Sequence, residues 1–148
     1  HRDLHTVYRR QRQMCIRDRY TVEPDFAIVV ESTTAADIPN VAQDKRVCCV
    51  GEGAVISFMD RRTIYDKELV DAAMSCANEN VKVQYKQAVA GGNDAGAIQT
   101  SRGGVRTLAV SLPCRYLHSG CGLISADDYS SAYAVVTQVA NKILSNSL

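Results

Sequence analysis

At 148 residues, 46% of them hydrophobic, the chain has the length of one domain and enough apolar material to build a core. No stretch approaches the roughly 18 to 20 unbroken apolar residues of a membrane span, and the N-terminus lacks the apolar core of a secretory signal, so the chain is expected in the cytoplasm with no membrane partner. The net charge of +1 is unevenly divided: residues 1–19 hold six Arg against Asp3 and Asp18, leaving 11 basic and 14 acidic side chains in the rest.

The segment 1–19, HRDLHTVYRRQRQMCIRDR, has neither helical nor strand periodicity. As a basic arm it would bind nucleic acid through salt-dependent phosphate contacts. That reading is set aside, because VYRRQRQMCIRDR resembles translated sequencing-adapter sequence. The segment is expected to be non-native and disordered, with the fold's own frame starting at Tyr20 and continuing from sequence upstream of it. The six cysteines (Cys15, Cys48, Cys49, Cys76, Cys114, Cys121) include no Cys-x-x-Cys pair. The chain is large enough to fold without a disulfide framework, so most are expected to be small buried thiols, with Cys48 and Cys49 on opposite faces of a strand.

From Tyr20 onward the first element is the apolar run Asp25 to Glu31, DFAIVVE, typical of a strand buried on both faces and here ending on a carboxylate. Ser32-Thr33-Thr34 and the turn Asp37-Ile38-Pro39-Asn40 follow. Arg46 to Asp60 predicts a hairpin turning at Gly51-Glu52-Gly53. Asp66 caps a helix whose Leu69, Ala72, Ala73 and Cys76 form one stripe, ending near Asn80. Val81 to Tyr85 alternates and predicts a strand; Gly91-Gly92 then breaks the chain before a short helix from Asn93 or Asp94, over by Gly103-Gly104. Thr107 to Leu112 predicts another strand, closed by Pro113. After Gly120 and Gly122, Ser125-Ala126-Asp127-Asp128 starts a last helix with Tyr129, Ala132, Tyr133, Val136, Ala140, Ile143 and Leu144 as its apolar stripe. Strands interleaved with helices predict an α/β sandwich around a mixed, largely parallel sheet.

In such sheets ligands bind beyond the carboxyl ends of the strands, where Glu31, Gly92-Asn93-Asp94 and Arg115-Tyr116-Leu117-His118-Ser119 are all expected. Carboxylate oxygen and imidazole nitrogen suit Zn²⁺, Mn²⁺ or Co²⁺, so a hydrolytic metal site is one reading of Glu31 and His118; a carboxylate that caps a helix or pairs with Arg is the other. Tyr116 and Arg115 either position substrate or belong to a structural loop. No Gly-x-Ser-x-Gly elbow accompanies His118 and Ser119, and the glycine pairs lack the spacing of a dinucleotide or P-loop fingerprint.

Three blocks, PDFAIVVESTTAADIP, GGNDAGAIQTSRGGVRTLAVSLPCRYLHS and ISADDYSSAYAVV, resemble successive segments of the glutamyl-aminopeptidase family, whose oligomeric members include the tetrahedral aminopeptidases and some of whose members carry the label endoglucanase or cellulase. The resemblance runs from Tyr20 into the last helix. It implies a zinc-peptidase-like αβα sandwich of which 20–148 is the C-terminal part, and hydrolysis of N-terminal residues from peptide substrates by a water activated between two divalent metals (Zn, Co or Mn). It further implies a homo-oligomeric full-length protein, Glu31 and His118 as ligands of different metals, and Asp94 and Asp37 as carboxylates near the metals or the substrate. Family members often carry Asp at the position of Glu31, and their Gly-Thr-Asp-Ala is Gly92-Asn93-Asp94-Ala95 here. The bridging Asp, the other His and the general-base Glu would lie upstream, so this chain alone is expected to be inactive. The endoglucanase label finds no paired acids to support it. The alternative from another class is a non-catalytic α/β module using the same sheet for binding or assembly.

Overall fold

A computed structural model describes residues 21–148; the expectation for the Arg-rich segment 1–19 lies outside the described residues. The chain folds as β1 (Phe26–Thr34), a 3₁₀ turn (Gln43–Lys45), β2 (Ala54–Ile56), α1 (Lys67–Met74), β3 (Val83–Tyr85), α2 (Ala95–Gln99), β4 (Arg106–Cys114) and α3 (Ala126–Leu144). The four strands form one mixed sheet in the order β1-β4-β2-β3, with β1 parallel to β4, β2 parallel to β3, and β2 antiparallel to β4. The mixed, largely parallel α/β architecture predicted from the sequence is therefore present.

The core lies where β2 and β4 meet α1 and α3. Leu108, Ala109 and Val110 of β4, Ala54 and Ile56 of β2, Leu69 and Ala73 of α1, and Val135 and Val139 of α3 are all solvent-free and share one cluster. Asp66 caps α1 as predicted, accepting from Leu69 N at 3.1 Å, and Arg106 at the start of β4 grips the same carboxylate with two hydrogen bonds, at 2.8 and 2.9 Å. Strand β4 and helix α1 are thus stapled where each begins.

Five expectations are corrected. Glu31 does not end the first strand: it is the sixth of nine residues in β1, because Ser32, Thr33 and Thr34 continue in register against Leu112, Pro113 and Cys114. Pro113 likewise sits inside β4. The neighbours Cys114 and Arg106 face β1, so Pro113's nitrogen faces β2, whose pairing stops at Ser111, and the missing donor disturbs no ladder. α1 ends at Met74 and not near Asn80.

The hairpin in Arg46 to Asp60 does not form; only Ala54–Ile56 is a strand, and Cys48 and Cys49 lie in a loop. The amides a hairpin would pair are taken by side chains from elsewhere. Cys49 N donates to Gln84 Oε1 at 2.9 Å and Val50 N to Asp37 Oδ2 at 2.9 Å, while Gly51 N and Gly53 N reach the Asp128 carboxylate at 2.8 and 2.7 Å. Gly53 takes φ +88, and a Cβ there would stand 2.0 Å from Lys82 O, so only glycine fits.

That clasp also explains the fifth correction. The buried face of α3 is Asp128, Ser131, Ala132, Val135 and Val139, one residue out of step with the predicted stripe; Tyr129, Tyr133 and Leu144 are exposed. Asp128 was assigned to the first turn for its charge, yet it is fully buried, and turning it inward rotates every later residue of the helix with it.

Candidate functional site

A pocket of about 400 Å³ opens beside the second half of β1 and is lined by Glu31, Ser32, Thr33, Thr34, Val47, Lys86, Ala90, Gly91, Gly92, Leu117 and His118. Glu31 and His118, 87 positions apart, therefore share one wall system. The sequence argument expected three strand ends to converge here, but β3 runs against β1 and β4, so its carboxyl end points the other way. The loop after Tyr85 instead brings Lys86, Ala90, Gly91 and Gly92 to the pocket.

Glu31 is held by a continuous polar chain. Its Oε1 accepts from Asn93 Nδ2 at 2.7 Å; the same amide nitrogen donates to Tyr65 Oη at 3.0 Å; Tyr65 OH donates to Asp60 Oδ2 at 2.6 Å. Asp60 in turn accepts from the backbone amides of Arg62 (2.7 Å) and Thr63 (2.9 Å). Asn93 Oδ1 accepts from Ala95 N at 2.8 Å, which fixes the orientation of the carboxamide. Burial pushes the Tyr65 hydroxyl well above the usual phenol range, and the Asp60 carboxylate that accepts its proton adds to the effect. Tyr65 thus stays a neutral donor, and Asn93 presents a hydrogen-bond donor to Glu31. The second oxygen of Glu31 takes no hydrogen bond among the described residues.

His118 lies on the loop that follows β4. The base of this loop is closed by the pair of hydrogen bonds between Arg115 and Leu123, at 2.9 and 3.0 Å. The Arg115 guanidinium also grips Asp37 in bidentate fashion, at 2.7 and 2.8 Å, while Asp37 Oδ2 accepts from Val50 N. The guanidinium holds the Asp37 carboxyl below its ordinary range, against the opposing effect of burial. Within the loop Tyr116 (φ 60°) and His118 (φ 69°) both occupy the left-handed region, which costs a non-glycine residue on the order of 1 kcal/mol or more. The pinned base keeps them there and leaves the imidazole exposed at the pocket, with no hydrogen-bond partner among the described residues.

The residues singled out from the sequence thus divide. Glu31 and His118 meet at the pocket. Asp94 is the N-cap position of α2 and does not line it; the preceding Asn93 makes the contact to Glu31. Asp37 is engaged with Arg115, and Tyr116 is 60% exposed outside the pocket lining. Asn93 was expected near the site only as part of Gly92-Asn93-Asp94, not as the partner of Glu31, and it stands where the motif Gly-Thr-Asp-Ala departs from its expected residue; Tyr65 and Asp60 were not foreseen.

For a metal, the donor chemistry fits in part. A carboxylate with a free oxygen and an unengaged imidazole are suitable donors, and Ser111 Oγ, buried without a hydrogen-bond partner, lies beside Glu31 in the sheet register. No group of three or more His, Cys, Asp or Glu that could hold a metal ion gathers among the described residues. No described helix is long and apolar enough to cross a membrane.

Comparison with known proteins locates this geometry. Residues 18–135 match the family model described as M42 glutamyl aminopeptidase. The protein named putative aminopeptidase FrvX, of Escherichia coli (strain K12), is 32% identical over 116 residues, covering 78% of this chain and 33% of FrvX. The solved aminopeptidase APDkam598 of the archaeon Desulfurococcus kamchatkensis is similar with TM-score 0.79 at 26% identity, over 84% of this chain and 36% of that one. PhTET1-12s, solved as a dodecamer, aligns with TM-score 0.65 at 26% identity, over 87% of this chain and 36% of its own. The chain spans about a third of the length of the relatives it matches.

Proposed function

The chain belongs to the M42 glutamyl aminopeptidase family, and from that premise we propose that residues 20–148 are the C-terminal part of the catalytic domain of a metal-dependent aminopeptidase, to which residues 1–19 contribute nothing. The observation that carries the reading is the meeting of Glu31 and His118 in one pocket, the first with a free oxygen and the second on a loop held in a strained conformation. Two divalent ions (Zn, Co or Mn) would be held in part by these two side chains, with the remaining ligands and the general base outside this chain. Metal in such a site supplies Lewis acidity and a water acidified to near neutrality, with the pKa of bound water about 7.

The chain's own residues bind and orient. Asn93, backed by Tyr65 and Asp60, holds one oxygen of Glu31 and leaves the other without a hydrogen bond among the described residues. Arg115 and Asp37 fix the base of the loop that presents His118. Gly91, where an added Cβ would meet nothing within 4 Å, lets a peptide approach the backbone without side-chain obstruction. The full-length protein is taken to be a cytoplasmic homo-oligomer acting on peptides. The free thiols of Cys48, Cys49, Cys76, Cys114 and Cys121 support the reducing compartment, and the exposed Leu123, Ile124, Tyr129 and Tyr133, with the dodecameric relative, support assembly.

The test is the full-length enzyme with Glu31→Ala or His118→Ala. Each is expected to lower bound metal and to reduce turnover of an aminoacyl p-nitroanilide by about 100-fold or more, beyond the 10- to 100-fold typical of lost outer partners. Retention of metal and activity in the double variant refutes the assignment. The 148-residue chain itself is expected to show no metal-dependent turnover.

A further inference from the structure

We propose that the apolar cleft beside the edge strand β3 receives a second copy of this chain, the two copies pairing β3 with β3 about a two-fold axis. The inference rests on the homo-oligomer reading above and on none of the metal chemistry. β3 ends the sheet order, with β2 on one side only. Lys82 O accepts from Ala54 N at 3.0 Å and Lys86 N donates to Ile56 O at 2.9 Å, so the backbone groups of Lys82, Gln84 and Lys86 face β2 while those of Val83 and Tyr85 turn outward. Among the described residues only the Gln87 side chain reaches these outward groups, donating to Tyr85 O at 3.3 Å. Beside this open edge lies a cleft of about 660 Å³ walled by Phe58, Ile64, Tyr65, Val70 and Tyr85. Ile64 is 68%, Phe58 54% and Tyr85 43% exposed, so three large apolar side chains gather at one place, the mark of an interaction surface rather than of scattered surface residues.

Self-complementarity identifies the occupant. An antiparallel pair with its axis at Gln84 sets Val83 opposite Tyr85 of the second copy, and Tyr85 opposite its Val83, each pair exchanging both backbone hydrogen bonds. The open edge is too short to hold a partner by backbone pairing alone, so the side chains decide. The axis stands normal to the sheet and brings the two α1 helices together antiparallel on one face. α1 lines the cleft with Lys67 and Asp71, opposite charges one turn apart that pair with each other at the surface. In the antiparallel array Lys67 of each copy meets Asp71 of the other, so the rim is charge-complementary to itself, and Ile64 and Phe58 of one copy enter the cleft of the other. A second copy thus supplies strand edge, apolar side chains and charges together.

Sedimentation velocity of the 148-residue chain reads the monomer–dimer equilibrium against a monomer mass of 16.2 kDa. Ile64→Lys should raise the dimer Kd about 30-fold or more, the cost of losing a central interface side chain. Lys67→Glu leaves both α1 charges acidic and Asp71→Lys leaves both basic, so each variant alone should be monomeric. Mixed in equal amounts, with one of them ¹⁵N-labelled, the two should form a heterodimer that native mass spectrometry identifies. Circular dichroism checks the fold of each variant, and recovery on mixing cannot come from misfolded chains. A wild-type chain that stays monomeric, a dimer indifferent to Ile64→Lys, or charge-reversed variants that fail to recover when mixed overturns this face. A full-length protein that assembles unchanged with Ile64→Lys also overturns the face while the assembly reading stands, so the two fail separately.

Discussion

Replacing Asp128 by alanine should be among the most damaging single changes in this chain, although the residue is remote from the pocket lining. Asp128 is fully buried, and its two oxygens accept the amides of Gly53 at 2.7 Å and Gly51 at 2.8 Å. It lies in the first turn of α3, where the helix dipole favours a negative charge. Hydrogen bonds to a charged group contribute about 1.5 to 3 kcal/mol each, and removing the acceptor leaves two amides to find water by opening the loop. A net loss of about 3 kcal/mol follows, or roughly 10 °C in Tm for a chain of this length. Asp128→Asn should cost nearly as much, because its Nδ2 meets an amide donor to donor while its volume is unchanged. Urea unfolding gives the free energy, and hydrogen exchange at Gly51 and Gly53 reports the clasp itself. A loss below about 1 kcal/mol in both variants, with the two glycine amides exchanging as before, would refute the reasoning. The loop matters to the site because Val47, at its start, lines the pocket and accepts from Gln87 N at 2.8 Å, next to Lys86.

Gly53→Ala is expected to cost several kcal/mol in the same unfolding assay, since the new Cβ would overlap the Lys82 carbonyl at a positive φ; a loss under about 1 kcal/mol would mean the turn can shift freely. Asp37 and Asp66 are both held below the ordinary carboxylate range, the first by Arg115 and the second by Arg106. A depressed folded pKa contributes stability that is present above the unfolded value of about 3.9 and lost as pH falls through the folded one. Stability should therefore drop on acidification below about pH 4, and Arg115→Leu should flatten that drop while lowering the plateau at neutral pH; an unchanged acid limb would exclude Asp37 as a contributor. Burial pushes the Cys48 thiol up to about 12, so maleimide at pH 7 should label the exposed Cys121 first and spare Cys48 and Cys76 until urea unfolds the chain, as read by mass spectrometry.

The legible parts of this fold were those in which one sequence signal had one structural outcome. Apolar runs became β1 and β4, and an Asp before a periodic stripe became the cap of α1. The misread parts share a cause: polar groups whose partners are distant in sequence. Nothing local in Cys48 to Gly53 announces that Gln84, Asp37 and Asp128 will take its amides, so the run reads as half a hairpin. Likewise Asp128 looks like an ordinary first-turn acid until its glycine partners are seen, and the register of α3 follows from that one contact. Three consecutive polar residues after Glu31 suggested a strand end, but pairing to β4 continued through them because the partner strand did.

The same division holds at the site. Glu31 and His118 were identifiable as chemistry-bearing residues, and the structure gives each a distinct means of presentation. Glu31 projects from the interior of a paired strand, so its backbone is rigid and only the carboxylate needs orienting, which Asn93 does at 2.7 Å. His118 sits on a loop, so its backbone must be forced into place, and the Arg115–Asp37 grip at the loop base supplies the constraint. Asp37 and Arg115 therefore act on the pocket by holding shape, while Asp94 occupies the N-cap position of α2 without a side-chain cap hydrogen bond. Of the carboxylates flagged from sequence, Asp37 pairs with Arg115 and Glu31 lines the pocket, while neutral donors, Asn93 and Tyr65, stand next to Glu31. This arrangement is physically consistent: a carboxylate in place of Asn93 would set two like charges within hydrogen-bond distance, whereas the amide donor holds one oxygen of Glu31 and leaves the other without a hydrogen bond among the described residues.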